Sequence, residues 1–203
     1  MRTTLPALLL ALAAVLLGAA ACTGRAPATP AVAAPAAPAG DAYSLYDLPS
    51  VWRDQRGAEV RLPSLAGKVR VVAMVYTSCQ ATCPLIVGDL KRIEASIPAA
   101  RRDDVGFVLV SLDPERDTPG RLAEWAARTQ LDPARWTLLA GDADAVRELA
   151  AVLAVRYQPT AGGELAHSNA IAVLDAAGAV AHQQVGLGAA AKGTADAVGR
   201  LLN

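Results

Sequence analysis

Apolar positions fall into blocks separated by short polar stretches. Residues 69–76 form a nearly continuous apolar run rich in β-branched side chains, and residues 105–112 form a second. Runs of this kind, without alternation, read as strands buried on both faces, which calls for helices on either side of a sheet. Between them Leu85, Ile86, Leu90, Ile93 and Ile97 recur at helical spacing up to Pro98. Thr118 and Pro119 suit a helix cap and first turn, and that helix is expected to reach about Thr129. Residues 136–139 read as a short strand, and Gly141-Asp142 opens a helix through Val146, Leu149 and Leu153. Residues 168–174 and 179–185 read as strands joined by Asp175-Ala176-Ala177-Gly178, a hairpin turn. A last helix is expected over about residues 190–202. Upstream, residues 43–68 carry Trp52, a polar turn Asp54-Gln55-Arg56-Gly57 and then Glu59-Val60-Arg61-Leu62, which predicts a β-hairpin.

No internal repeat interrupts this order. Strand–helix–strand–helix, followed by a hairpin and a helix, predicts an α/β protein with a thioredoxin-like fold, an N-terminal β-hairpin and a C-terminal hairpin plus helix. The folded domain is assigned to residues 43–203.

Residues 1–42 do not belong to that pattern. Arg2, an apolar stretch over residues 5–17 and small residues before Cys22 have the layout of a secretory signal. The apolar stretch falls short of the ~20 residues that span a bilayer. Ala19-Ala20-Ala21-Cys22 resembles a bacterial lipobox, with alanine at position 19 where leucine is commoner. This assigns residues 1–21 as a lipoprotein signal peptide and Cys22 as the lipidation site; an ordinary cleaved signal is the alternative. Residues 23–42, almost entirely Ala, Pro, Gly and Thr, read as an extended tether after Cys22. The expectation is an exported lipoprotein, anchored to a membrane through lipid and facing the periplasm or the outer side of the cytoplasmic membrane.

Charge narrows the partners. The 19 basic residues less Arg2 leave 18 against 19 acids after the signal, with no basic run, so the chain has no electrostatic footprint for nucleic acid.

Cysteine usage points to chemistry. Of three cysteines, Cys22 lies in the signal region, which leaves Cys79 and Cys83 in an oxidising compartment. They follow the first buried strand at positions i and i+4, and Pro84 comes directly after, which suits the first turn of a helix. Thiols at a helix N-terminus favour the thiolate. Met74 falls inside the strand and reads as core. His182 falls mid-strand, on the polar face of the C-terminal hairpin. His167 lies in a glycine-containing loop just before a core strand, and a thioredoxin-like topology brings that loop beside the cysteines. Two thiolates and an imidazole suit copper, Cu(I) or Cu(II). Structural zinc wants a fourth ligand, which Asp113 or Asp117 could supply, so zinc stays open. The same two cysteines also suit a redox pair, with Cys79 attacking and Cys83 resolving. The string Asp113-Pro114-Glu115-Arg116-Asp117-Thr118-Pro119 suits a plain turn and helix start, and equally a role lining the site, with Asp117 or Arg116 holding the loop by an ion pair.

Three ordered motifs carry a family resemblance. Tyr76-Thr77-Ser78-Cys79-Gln80-Ala81-Thr82-Cys83-Pro84, then Ser111-Leu112 running into the Asp113 string, then His167-Ser168 before a strand, resemble the Sco/SenC family of copper chaperones. Trp136-Thr137-Leu138-Leu139-Ala140-Gly141 and Val155-Arg156-Tyr157 are similar to that family too. The resemblance covers about residues 43–203. It implies copper binding through Cys79, Cys83 and His167, and delivery to the binuclear copper A centre of cytochrome c oxidase subunit II. Ala166 departs from it, since several members carry an aspartate just before the histidine.

Two functions follow. One is a copper-binding metallochaperone; the other is a thiol-disulfide oxidoreductase that reduces the acceptor's cysteines. A periplasmic thiol reductant or another copper donor would be a further partner. A peroxidase reading rests only on a faint likeness of Thr77 and Cys79 to the peroxiredoxin pattern.

Overall fold

The computed structural model describes residues 43–188 and 191–203; the expected signal peptide, Cys22 and the expected tether lie outside the described residues. In chain order the main elements are β1 (Val51–Asp54), β2 (Glu59–Arg61), β3 (Val69–Val75), α1 (Cys83–Ser96), β4 (Val105–Ser111), α2 (Pro119–Arg128) and β5 (Trp136–Ala140). They continue as α3 (Ala143–Val152), β6 (Tyr157–Pro159), β7 (Leu165–His167), β8 (Ala170–Leu174), β9 (Val180–Val185) and α4 (Ala191–Leu201). One mixed sheet has the order β2-β1-β5-β4-β3-β8-β9, and β6 and β7 form a separate two-stranded sheet.

β3, β4 and β5 are parallel, with Val71 opposite Phe107 and Phe107 opposite Trp136. The flanking strands β1 and β8 run antiparallel to β5 and β3. Both apolar runs are buried along their lengths apart from partly exposed Arg70, as their unbroken patterning requires. Period two then sorts their side chains. Val71, Ala73, Phe107 and Leu109 pack with Ile86 and Leu90 of α1, Leu122 and Trp125 of α2 and Val198 of α4. Val72, Met74, Val108 and Val110 face the other way, toward Val146 and Leu149 of α3 and toward Leu45, Trp52 and Leu65 of the N-terminal segment. The crossovers α1 and α2 lie on one face because successive right-handed connections move in one direction along the sheet.

Local signals fix the helix starts. Thr118 accepts from Arg121 N–H at 3.4 Å ahead of Pro119, and Asp142 accepts from Ala145 N–H at 2.8 Å. The buried Asp54 carboxylate ties the β1–β2 turn by accepting from the N–H groups of Arg56 (2.8 Å) and Ala58 (2.9 Å) and from the Arg56 guanidinium. The result is the thioredoxin-like arrangement expected from the element order. α1 ends at Ser96 instead of reaching Pro98, and a 3-10 helix, Ala99–Asp104, follows.

Two expectations need correction. His167 is not in a loop: it ends β7, which pairs with β6. His182 does not lie on an open polar face. Its ring is half-buried, with Nε2 3.3 Å from the hydroxyl of Thr194 on α4, beside buried Gln184.

Candidate metal centre

β3 delivers its chain to the carboxyl edge of the parallel strands, the edge where open α/β sheets place ligands. The turn that follows is held from two sides. Cys79 N–H donates to Tyr76 C=O at 3.2 Å. The Asp117 carboxylate, 1% exposed, accepts from Thr77 N–H (3.0 Å), the Thr77 hydroxyl (2.5 Å) and the Ser111 hydroxyl (2.6 Å). Cys83 is the first residue of α1 and Pro84 the second. A helix begins with backbone donors that have no internal partner. Here Cys83 N–H donates to Cys79 Sγ at 3.3 Å, and Pro84 has no N–H to satisfy. Both cysteines are buried and free of any disulfide.

His167 arrives on the β6–β7 hairpin, where it sits opposite Tyr157. Tyr76 fixes that hairpin to the cysteine side: its hydroxyl donates to Leu165 C=O at 3.1 Å and accepts from Leu165 N–H at 3.3 Å. Arg116 pairs with Asp113 and donates to Gly163 C=O at 3.0 Å, at the hairpin tip. The ring of His167 meets Tyr76 edge-on, with centroids 5.8 Å apart. Its Nδ1 lies 3.2 Å from Ser168 C=O, which assigns the proton to Nδ1 and leaves the Nε2 lone pair for a ligand. Nε2 is 3.8 Å from Cys83 Sγ, and the ligand atoms of Cys79, Cys83 and His167 all lie within 4.8 Å of one another.

The structure therefore gathers all three residues expected as ligands. No carboxylate joins that group among the described residues. Asp117 is committed to Thr77 and Ser111, and Asp113 to Arg116, so neither serves as a fourth donor. The 113–117 loop instead braces both halves of the site, with an ion pair between Arg116 and Asp113. Met74 is core, as expected. Sequence reading did not single out Tyr76, Thr82 or the Arg116–Gly163 contact. The only available signal was that Tyr76 and Thr82 put hydroxyls next to the cysteine motif. The absent carboxylate at Ala166 is not needed to orient the ring, because Ser168 C=O does so. A shallow hollow of about 210 Å³ between residues 80–82 and 164–167 opens onto the site.

The two thiols differ sharply. Burial pushes the Cys79 thiol up, but hydrogen bonds from the Cys83 thiol, Cys83 N–H, the Thr82 hydroxyl and Ala81 N–H outweigh it and bring the thiol down to about 6. Burial, then the hydrogen bond to Cys79, push Cys83 well up. Burial, then Cys79 beside it, push the Tyr76 phenol up to about 12, so it remains a donor to Leu165. Only the thiolate is nucleophilic. In the reduced chain, alkylation of Cys79 is expected to rise through a midpoint near pH 6 and level off above it, while Cys83 stays unmodified at neutral pH. Mass-spectrometric footprinting with iodoacetamide checks this, and a Cys79 midpoint near that of a free thiol would refute it.

The SCO1/SenC family model matches residues 43–201, the whole folded domain up to its last turn of helix. The chain belongs to the SCO1/SenC family. A SCO1 protein homolog of Bacillus subtilis is 31% identical over 93 residues, 46% of this chain and 48% of that one. The matched stretches span 48% and 60% of the two curated relatives. Among solved structures, Bradyrhizobium japonicum ScoI with copper bound is 25% identical, with a TM-score of 0.63 over 75% of this chain and 96% of that chain. BsSco, described as a Sco-family cytochrome c oxidase assembly protein with a disulfide switch, aligns with a TM-score of 0.68 at 23% identity, over 81% and 97% of the two chains. In this SCO1/SenC chain, then, the cysteine pair and the histidine come from elements that the shared fold places side by side.

Proposed function

We propose that this chain binds one copper ion through Cys79, Cys83 and His167 and delivers it to the copper A centre of cytochrome c oxidase subunit II during assembly. The observation that carries the reading is the convergence of two sulfurs and one ring nitrogen within 4.8 Å of one another. Soft thiolates with imidazole suit copper, and without a fourth donor among the described residues the set falls short of a structural zinc site. Copper in the Bradyrhizobium relative and the oxidase-assembly role of the BsSco family support the same reading. Copper is the cargo, and the protein's part is to hold it between two buried sulfurs and a partly exposed imidazole, beside a hollow that opens onto the site. The Cys22 lipid anchor, the tether and exposure to the periplasm or the outer membrane face belong to this proposal, on the strength of the sequence layout at residues 1–42. A thiol reductant or a copper donor in that compartment would complete the cycle. Titration of the reduced domain with Cu(I) against a competing chelator is expected to show about one tight equivalent. Binding no tighter than that of a chain with both cysteines replaced by serine would overturn it.

The contrast between the thiols favours a second reading, a dithiol reductase acting on the acceptor's cysteines. The Cys79 thiolate attacks the acceptor disulfide, forming a mixed disulfide and releasing one acceptor thiolate. Cys83 loses its proton and attacks Cys79 Sγ, releasing the second. Two electrons pass to the acceptor, and the chain ends with a Cys79–Cys83 disulfide. This step needs no histidine, so disulfide exchange that stays normal in a His167→Ala chain that no longer supports assembly would reject it as the main role.

A further inference from the structure

Thr82 occupies the N-cap position of α1 yet makes no capping hydrogen bond. Its backbone has helical angles, φ −90° and ψ −32°, in place of the extended conformation usual for a cap. The same chain caps α2 with Thr118 and α3 with Asp142 by the ordinary side-chain bond. The Thr82 hydroxyl is thus turned away from the bond that a cap threonine ordinarily makes. It is engaged in the metal centre. Thr82 Oγ1 lies 3.3 Å from His167 Nε2 and 3.6 Å from Cys79 Sγ.

We infer that Thr82 is a positioning residue for the copper site: its hydroxyl bridges Cys79 and His167 in the metal-free dithiol chain and holds the third ligand in place before the ion arrives. The inference rests on the three-ligand reading above and adds a residue to it. A hydroxyl has one proton and two lone pairs, so it reaches two neighbours but donates to one at a time. Its oxygen lies within reach of both Nε2 and Cys79 Sγ, and either can take that proton. Among the described residues no other side-chain oxygen lies in hydrogen-bond contact with Nε2. The hairpin that carries His167 is outside the main sheet. Tyr76 and Arg116 fix its backbone, Ser168 C=O holds one edge of the ring and Thr82 the other. Copper then displaces the hydroxyl from Nε2 and meets ligands already gathered, which is preorganisation in its usual sense.

The test compares Thr82→Val, which keeps the shape and loses the hydroxyl, with Thr82→Ser, which keeps the hydroxyl. The metal-free readout is the side-chain nitrogen resonance of His167 in the reduced protein. The valine chain is expected to shift the Nε2 signal, and the serine chain to keep it. The second readout is Cu(I) affinity by chelator competition. Outer partners of metal ligands are worth 10–100-fold, so the valine chain is expected to bind about tenfold more weakly, with serine restoring affinity to within about twofold. Equal thermal stability of the two variants excludes a folding defect as the cause. An unmoved Nε2 signal in the valine chain, or valine and serine chains of equal affinity, overturns the inference. His167→Ala, measured alongside, separates the two failures: if it too leaves affinity unchanged, the ligand set itself is wrong; if it alone weakens binding, only the role of Thr82 falls.

Discussion

Replacing His167 with alanine is expected to weaken Cu(I) binding by the reduced chain more than about a hundredfold, beyond the 10–100-fold that the loss of an outer partner costs. The ring nitrogen is one of three candidate ligand atoms gathered within 4.8 Å, and among the described residues no carboxylate joins them. A two-sulfur site survives the substitution, so residual binding through Cys79 and Cys83 is expected rather than none. The fold should be little affected, because His167 is only partly buried and ends a two-stranded sheet whose backbone is tied by Tyr76 and Arg116. Chelator competition gives the affinity and a urea melt gives the control. An affinity within threefold of the parent, at unchanged stability, would remove His167 from the ligand set (about threefold is ~0.7 kcal/mol, small for a metal ligand).

Asp117→Ala is expected to produce the largest loss of stability among changes near the site. The carboxylate is 1% exposed and accepts three hydrogen bonds, from Thr77 N–H, the Thr77 hydroxyl and the Ser111 hydroxyl. Alanine leaves those donors buried without an acceptor, at about 1–3 kcal/mol for each that water cannot reach, so a total near 3 kcal/mol is expected. For a domain of this size that corresponds to a fall in Tm of roughly 6–12 °C. The effect reaches the metal because Thr77 lies two residues before Cys79, and a slack turn no longer aims that sulfur. Asp117→Asn, which keeps one acceptor oxygen, should fall between parent and alanine. An unfolding midpoint in urea equal to the parent's would show that the carboxylate is not the anchor it is taken to be.

The parts of this molecule that were legible in the chain are those written in local patterns. Residues 69–75 and 105–111 are strands buried on both faces, as unbroken β-branched runs must be. Thr118-Pro119 and Asp142 start helices by side-chain bonds that follow from their types. Cys79, Cys83 and His167 were recognisable because soft ligands are so scarce here. What escaped depends on distance. β6 and β7 are three residues each, with Pro159 at the end of one and Gly162-Gly163 in the turn, so they carry the composition of a loop. The 113–119 string looks like a turn because it is one. That Asp117 serves Thr77, forty residues away, is visible only once β3 and β4 lie side by side. Thr82 read as a spacer between thiols because its unusual backbone angles leave no mark in the sequence.

The division of the candidate ligands between a helix start and a separate two-stranded sheet has a consequence for turnover. Both sulfurs sit at the root of a helix packed into the main core, whereas the imidazole rides on a ribbon outside the main sheet, tied to the rest by Tyr76 and Arg116. Under the delivery reading, an approaching acceptor can take over the nitrogen's coordination place first and leave the sulfurs until last. The imidazole would then be the door through which cargo changes hands, and the rate of transfer would follow how readily that one bond is exchanged.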